Sequence, residues 1–155
     1  MALSDLLTAD SVKSKVRASC KREALSRLAG AAASALGLDE RTIYEALIER
    51  EKLGTTGVGE GVAIPHGKID GLSNVAGFLA TLDEPVAFDS VDDAPVDILF
   101  LLLAPTDATA AHLKALAKVS RLLRDEGFRA SLRGADTDEA LFAAANSHLK
   151  RSDAA

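Results

Sequence analysis

Apolar residues recur along this chain at helical spacing in some stretches and crowd into short runs in others, and the alternation between the two outlines its elements. Leu25, Leu28, Ala32 and Leu36 predict a helix over Lys21 to Leu36, with Gly37 as its stop. Asp39 caps a second helix reaching about Glu51, with Ile43, Ala46 and Leu47 on its buried face and Gly54 closing it. A short strand, Val62-Ala63-Ile64, runs into Pro65, which keeps Ile64 extended. Val75 to Leu82 reads as a strand ended by Asp83-Glu84-Pro85, and Val86 to Phe88 as another short one. Val96 to Leu103 is almost uniformly apolar, as a strand buried on both faces should be. Thr106 or Asp107 opens a long helix to about Arg124, with Leu113, Leu116, Ala117 and Leu123 as its inward stripe. Glu126 to Leu132 forms a short helix stopped by Gly134. Thr137 then caps a last helix through about His148, with Asp138 and Glu139 well placed in its first turn. Helices and strands interleave, so the fold class is α/β: one domain over residues 1–150 with helices against one sheet, and a frayed tail at 151–155.

Composition narrows what such a domain can do. At 155 residues, 48% hydrophobic and 26% charged, the chain is an ordinary globular domain with a core of Leu, Val, Ile and Ala, aromatics being only 4%. The net charge of −5 and the absence of a basic run argue against a nucleic-acid partner. Cys20 is the single cysteine, which excludes an intrachain disulfide and a cysteine-rich metal site; it reads as a small residue at a helix start. The N-terminal stretch carries Asp5 and Asp10 and has no signal-peptide character. The longest apolar run, Ile98 to Ala104, is far short of the roughly 20 residues of a membrane helix. A cytoplasmic location without membrane insertion is expected by elimination.

The chemistry concentrates at Gly57-Val-Gly-Glu-Gly-Val-Ala-Ile-Pro-His66-Gly-Lys68. Two phosphate-loop patterns fail there. The Rossmann pattern finds Val62 where it wants glycine. A Walker A reading of Gly61 to Lys68 is one residue too long and meets Ile69 instead of Ser or Thr. Metal binding lacks a third well-placed ligand beside His66 and His112, so neither metal nor cofactor is expected. Acyl transfer lacks a nucleophile elbow. What remains is His66 itself as a nucleophile, at the end of a strand with glycine backbone beside it. A neutral imidazole can attack phosphorus, given donors for the phosphoryl oxygens and a cation for the developing charge. Loop amides around Gly57 and the hydroxyls of Thr55 and Thr56 are candidate donors, and Arg50 is the candidate cation. Without the loop beside it, Arg50 would read as a solvated charge at a helix end. His112, near the first turn of the helix that follows the buried strand, lies where α/β sheets collect ligands, although spacing alone leaves its role open. His148 reads as solvated.

The run Arg50-Glu51-Lys52-x-Gly54-Thr55-Thr56-Gly57-Val58-Gly59-x-Gly61-Val62-Ala63-Ile64-Pro65-His66-Gly67-Lys68 resembles the phosphorylation-site signature of type-2 IIA domains. These belong to the bacterial phosphoenolpyruvate:sugar phosphotransferase system, in its fructose/mannitol group. The resemblance continues through Pro85-Val86-Ala87-Phe88-Asp89, Pro95-Val96-Asp97-Ile98-Leu99-Phe100, Ala104-Pro105 and His112-Leu113, and so covers nearly the whole chain. The fit is closest to the nitrogen-regulatory branch. The resemblance implies a mixed sheet flanked by helices, a phosphoryl-accepting His66, a supporting His112 and a phosphate-contacting Arg50. It further implies an HPr-like phosphocarrier (NPr) as donor. Regulatory targets such as potassium-transport or sensor-kinase proteins would respond to the phosphorylation state. The alternatives are a IIA component of a fructose- or mannitol-type permease, passing phosphate to a IIB cysteine, and a binding module that is never phosphorylated.

Overall fold

The computed structural model describes residues 2–154. Two 3₁₀ turns, Leu3–Asp5 and Ala9–Ser11, lead into β1 (Val12–Val16). Then come α1 (Lys21–Leu36), α2 (Glu40–Lys52), β2 (Gly57–Gly59), β3 (Val62–Ala63), β4 (His66–Lys68), β5 (Ala76–Val86) and β6 (Val96–Ala104). The chain continues as α3 (Thr109–Leu122), α4 (Glu126–Arg133) and α5 (Asp138–Ala154). The strands form a six-stranded sheet in the order β1-β5-β6-β3-β2, with β4 also paired to β6. β5 and β2 run antiparallel to their neighbours β6 and β3, whereas β1 is parallel to β5 and both β3 and β4 are parallel to β6. This is the expected mixed sheet with helices against it.

The uniform apolarity of β6 has a simple cause. Successive strand residues face opposite ways, and both faces are covered. Ile98, Phe100 and Leu102 enter a core shared with Ala115 and Val119 of α3, Phe128 and Leu132 of α4, and Leu141 and Ala145 of α5. Leu99, Leu101 and Leu103 enter a second core with Leu25 and Leu28 of α1 and Ile43 and Leu47 of α2. No described helix is long and apolar enough to cross a membrane.

Several boundaries differ from the sequence reading, each for a physical reason. The predicted strand over Val75 to Leu82 does not stop at Asp83. β5 continues to Val86 with its register against β6 shifted between Thr81 and Val86, and Pro85 lies within that irregular stretch, where no ladder donor is needed. Thr106 and Asp107 do not cap α3. They occupy a turn closed by the Ala108 N–H on the Pro105 carbonyl (3.1 Å), and the helix starts at Thr109. Its inward stripe is His112, Ala115 and Val119, continued by Leu123, while Leu113 is 61% exposed and Ala117 is exposed. The expected stripe holds at Leu123, which is buried, and at Leu116, which packs partly buried against the same core, and fails at Leu113 and Ala117, where a histidine and an alanine take the inward positions. β1 was not expected, since Lys13, Ser14 and Lys15 interrupt its two valines. The tail does not fray at Arg151: α5 runs on through Ala154, and the Asp153 carboxylate accepts the N–H groups of Leu3 (2.6 Å) and Ser4 (3.0 Å) and the Ser4 hydroxyl (2.8 Å). Residue 155 of that tail lies outside the described residues.

Candidate active site

Pro65 splits what is in effect one long strand. β3 and β4 both run parallel to β6, and between them the Pro65 carbonyl accepts the Leu102 N–H (3.0 Å). His66 therefore starts a strand rather than ending one. It pairs with Leu102, Gly67 with Leu103 and Lys68 with Ala104. Residues 66 and 68 thus face the α3 side of the sheet and residue 67 the α2 side. A Cβ on Gly67 would lie 3.3 Å from the Ala46 Cβ, so what comes close to this bare backbone is helix α2.

Both nitrogens of His66 are engaged. Nδ1 lies 2.8 Å from the Ile64 carbonyl oxygen, an acceptor only, so Nδ1 carries the proton. Nε2 consequently holds the lone pair, which accepts the Arg50 Nε–H at 3.1 Å. Arg50 comes from the last turn of α2 and is braced by its Nη1–H on the Gly54 carbonyl (2.8 Å). From the other side comes His112, in the first turn of α3, its backbone N–H on the Ala108 carbonyl (3.0 Å). The two imidazoles stand edge to face with centroids 5.6 Å apart. His112 is 7% exposed, and its Nε2 is a buried polar atom with no hydrogen-bond partner among the described residues.

Both rings are held below the ordinary histidine value of 6.5. For His66 the main cause is burial. The Arg50 charge adds to it, against the opposing pull of the Ile64 carbonyl and Glu51. For His112 burial again leads, followed by His66 and Lys68. A neutral imidazole with its lone pair on Nε2 is the nucleophilic form. Both effects carry the same sign for stability. As pH falls past 6.5 the unfolded chain binds protons at these histidines before the folded one does, so the stability they confer is complete above that pH and declines below it. In a ring-proton NMR titration both midpoints are expected below 6.5, with the unfolding midpoint dropping in the same window; midpoints above 6.5 would contradict the burial argument.

The structure brings His66, His112 and Arg50 together and gives the expected phosphate contacts another task. The Thr55 hydroxyl donates to the Phe88 carbonyl (2.7 Å) and accepts the Gly57 N–H (3.0 Å). The Thr56 side chain is buried, its hydroxyl donated to Glu51. These three residues hold the loop in shape. At Gly57 a Cβ would fall 2.4 Å from the Ser90 Oγ and 3.2 Å from the Ser90 Cα. Gly57→Ala is accordingly expected to cost about 1–3 kcal/mol, lowering the thermal midpoint by roughly 2–4 °C per kcal/mol in a scan. His148 is not simply solvated: its ring stacks on Phe128 at 4.6 Å. Cys20 is the exposed N-cap residue of α1. No cluster of metal-binding side chains occurs among the described residues.

Sequence reasoning passed over Lys68, whose Nζ donates to the Thr109 hydroxyl (2.5 Å) at the start of α3. The signal was present. Once residues 66–68 are read as a strand, position 68 shares a face with position 66 and supplies a second cation beside His112.

The family model described as "Phosphoenolpyruvate-dependent sugar phosphotransferase system, EIIA 2" matches residues 5–147. The chain belongs to the EIIA 2 family. It is 46% identical over 142 residues to a nitrogen regulatory protein of Bradyrhizobium diazoefficiens, covering 92% of this chain and 93% of that one. To a nitrogen regulatory protein of Escherichia coli it is 40% identical over 143 residues, covering 92% and 88%. Its backbone matches the crystal structure of nitrogen regulatory protein IIA-Ntr from Neisseria meningitidis with a TM-score of 0.83 and 32% identity, over 92% of this chain and 97% of that one. The EIIA 2 fold and the likeness to the nitrogen-regulatory branch thus agree with the sequence expectation, and the pairing of β4 with β6 is what places the signature histidine against α3.

Proposed function

We propose that this EIIA 2 chain is a regulatory histidine phosphocarrier, accepting a phosphoryl group on Nε2 of His66 from a phosphohistidine of an HPr-like protein (NPr). The observation that carries the reading is the state of the His66 ring: proton fixed on Nδ1 by the Ile64 carbonyl, lone pair on Nε2, and a guanidinium against that lone pair. In the transfer, the donor N–P bond breaks as the Nε2–P bond forms in line. The donor ring departs as a neutral imidazole, and the charge its ring carried passes to the His66 ring, which keeps its Nδ1 proton on the Ile64 carbonyl. Arg50 gives up the lone pair and turns its N–H groups to the phosphoryl oxygens. The Nε2 of His112, which has no partner among the described residues, would with a proton on it gain an acceptor in a phosphoryl oxygen, and Lys68 adds positive charge.

A protein-sized donor suits the surroundings. Leu53, 85% exposed, follows α2 just beyond Arg50, and Leu113, 61% exposed, follows His112. Apolar side chains beside the acceptor give a partner something to cover. Once His66 is phosphorylated, that same surface carries added negative charge and new acceptor oxygens, which changes what binds there. This is the physical route by which targets such as potassium-transport or sensor-kinase proteins would respond to the phosphorylation state. The test is incubation with phosphorylated HPr-like protein followed by intact mass measurement, with an acid-labile gain of one phosphoryl group expected. No gain would leave only a binding module. Rapid onward transfer to a IIB cysteine would replace the regulatory reading by a sugar-permease one.

A further inference from the structure

Arg50 and Glu51 are consecutive at the end of α2, yet their side chains part. Arg50 reaches over His66, whereas Glu51 turns beneath the glycine-rich loop, its side chain only 7% exposed. One oxygen, Oε1, accepts the Thr56 N–H (2.9 Å) and the Thr56 hydroxyl. The other, Oε2, forms an ion pair with the Lys21 Nζ at 2.6 Å. Lys21 is itself tied down: it donates to the Phe88 carbonyl (3.3 Å) and lies 4.8 Å from the centre of the Phe88 ring. The Thr56 carbonyl accepts the Ile64 N–H (3.0 Å), and the Ile64 carbonyl accepts the His66 Nδ1–H (2.8 Å). An unbroken line of polar contacts therefore runs from Lys21 through Glu51, Thr56 and Ile64 to the rear nitrogen of the acceptor.

We propose that Glu51, anchored by Lys21, is a positioning residue that fixes the nucleophilic tautomer of His66 through Thr56 and Ile64. This rests on His66 being the phosphoryl acceptor. The physical case is that the Ile64 carbonyl selects the tautomer only while it stays aimed at Nδ1. Ile64 precedes Pro65, which contributes no N–H, so its position depends on the Thr56 carbonyl as well as on packing. Thr56 in turn is buried at the start of the glycine-rich hairpin, where the Thr55 hydroxyl fixes the neighbouring residues and the Glu51 carboxylate holds both the N–H and the hydroxyl of Thr56 itself. Without that carboxylate Thr56 loses the two contacts that fix its own N–H and side chain. The Ile64 carbonyl can then tilt, and the ring can take the form with its proton on Nε2, which has no lone pair to attack with. The two neighbours on α2 thus act on opposite sides of one ring, Arg50 by contact and Glu51 through the backbone.

Three variants test this: Glu51→Gln, Glu51→Ala, and a double replacement of Lys21→Met with Glu51→Leu that removes both charges of the Lys21–Glu51 pair and leaves only the exposed Asp89 carboxylate without its cation. Each is measured for its thermal midpoint, its His66 ring ¹⁵N shifts and titration, and its initial rate of labelling by phosphorylated HPr-like protein. The Ala and double variants are expected to shift the ring signature toward Nε2–H and to slow labelling roughly tenfold to a hundredfold. The Gln variant keeps an acceptor for Thr56 and is expected to retain the tautomer and most of the rate, with a His66 midpoint below that of the wild type because Glu51 raises it. A folded Ala or double variant with wild-type ring shifts and rate overturns the proposal. Should the wild type itself fail to be labelled, the phosphocarrier reading falls, while the ring shifts still decide whether Glu51 sets the tautomer.

Discussion

His66→Ala is expected to abolish phosphoryl acceptance: incubated with phosphorylated HPr-like protein, the variant shows no acid-labile mass gain under conditions that label the wild type completely. No other imidazole is placed to substitute. His112 is 7% exposed and lies on the inward, buried stripe of α3, so its ring is not presented to an incoming donor. His148 is stacked on Phe128 of α4. The fold should survive the change. His66 is only half-buried, and its loss releases two hydrogen bonds, to Ile64 and from Arg50, each worth on the order of 1 kcal/mol. A variant that folds and still gains the label would mean that the acceptor is some other group.

Arg50→Ala carries the second-largest effect. The guanidinium has two tasks that differ in timing. At rest it occupies the lone pair of Nε2 and lowers the proton affinity of the ring; in the proposed transfer it would neutralise the phosphoryl oxygens. Removing an electrostatic contact of this kind costs roughly 10²- to 10³-fold in rate, measured as initial labelling in a rapid-quench experiment. Arg50→Lys should recover only part of this loss, because an ammonium supplies charge without the planar fork. The resting task gives an independent check, since the titration midpoint of His66 should rise in Arg50→Ala. A variant labelled at the wild-type rate with an unmoved midpoint would mean that Arg50 is the solvated helix-end charge which its position would suggest without the loop beside it.

Most of the architecture could be read from the chain because burial and periodicity agree wherever a single core decides them. α1, α2 and β6 are of this kind. The misreadings occur where another interaction overrides the pattern. β1 holds its place by bonds that hydropathy does not register, among them the Ser14 N–H to Asp138 (2.8 Å) and the Lys15 N–H to the Thr81 hydroxyl (3.0 Å). The phase of α3 was misjudged because its inward face holds a buried histidine while the neighbouring Leu113 is exposed, the reverse of what hydropathy leads one to expect. At the site, His66 could be singled out by its setting, whereas Arg50 and His112 were candidates by residue type and position whose roles only the resemblance implied; the structure brings the three side chains together. The hydroxyls of Thr55 and Thr56 could not be assigned, since a hydroxyl beside a glycine loop reads alike whether it binds a ligand or its own backbone. Glu51 was hidden by its position beside Arg50 on an exposed helix end, where a carboxylate is ordinarily solvated.

The division of β6 between two cores bears on how the protein comes apart. Ile98, Phe100 and Leu102 belong to one helical layer and Leu99, Leu101 and Leu103 to the other, so neither layer can detach without exposing one face of a strand the other still needs. Such a shared wall favours all-or-none unfolding over partial opening. The site draws Arg50 from one layer and His112 from the other, with His66 on a strand paired to that wall. Competence to take up phosphate should therefore vanish with the global transition, and with the same midpoint, rather than fade ahead of it.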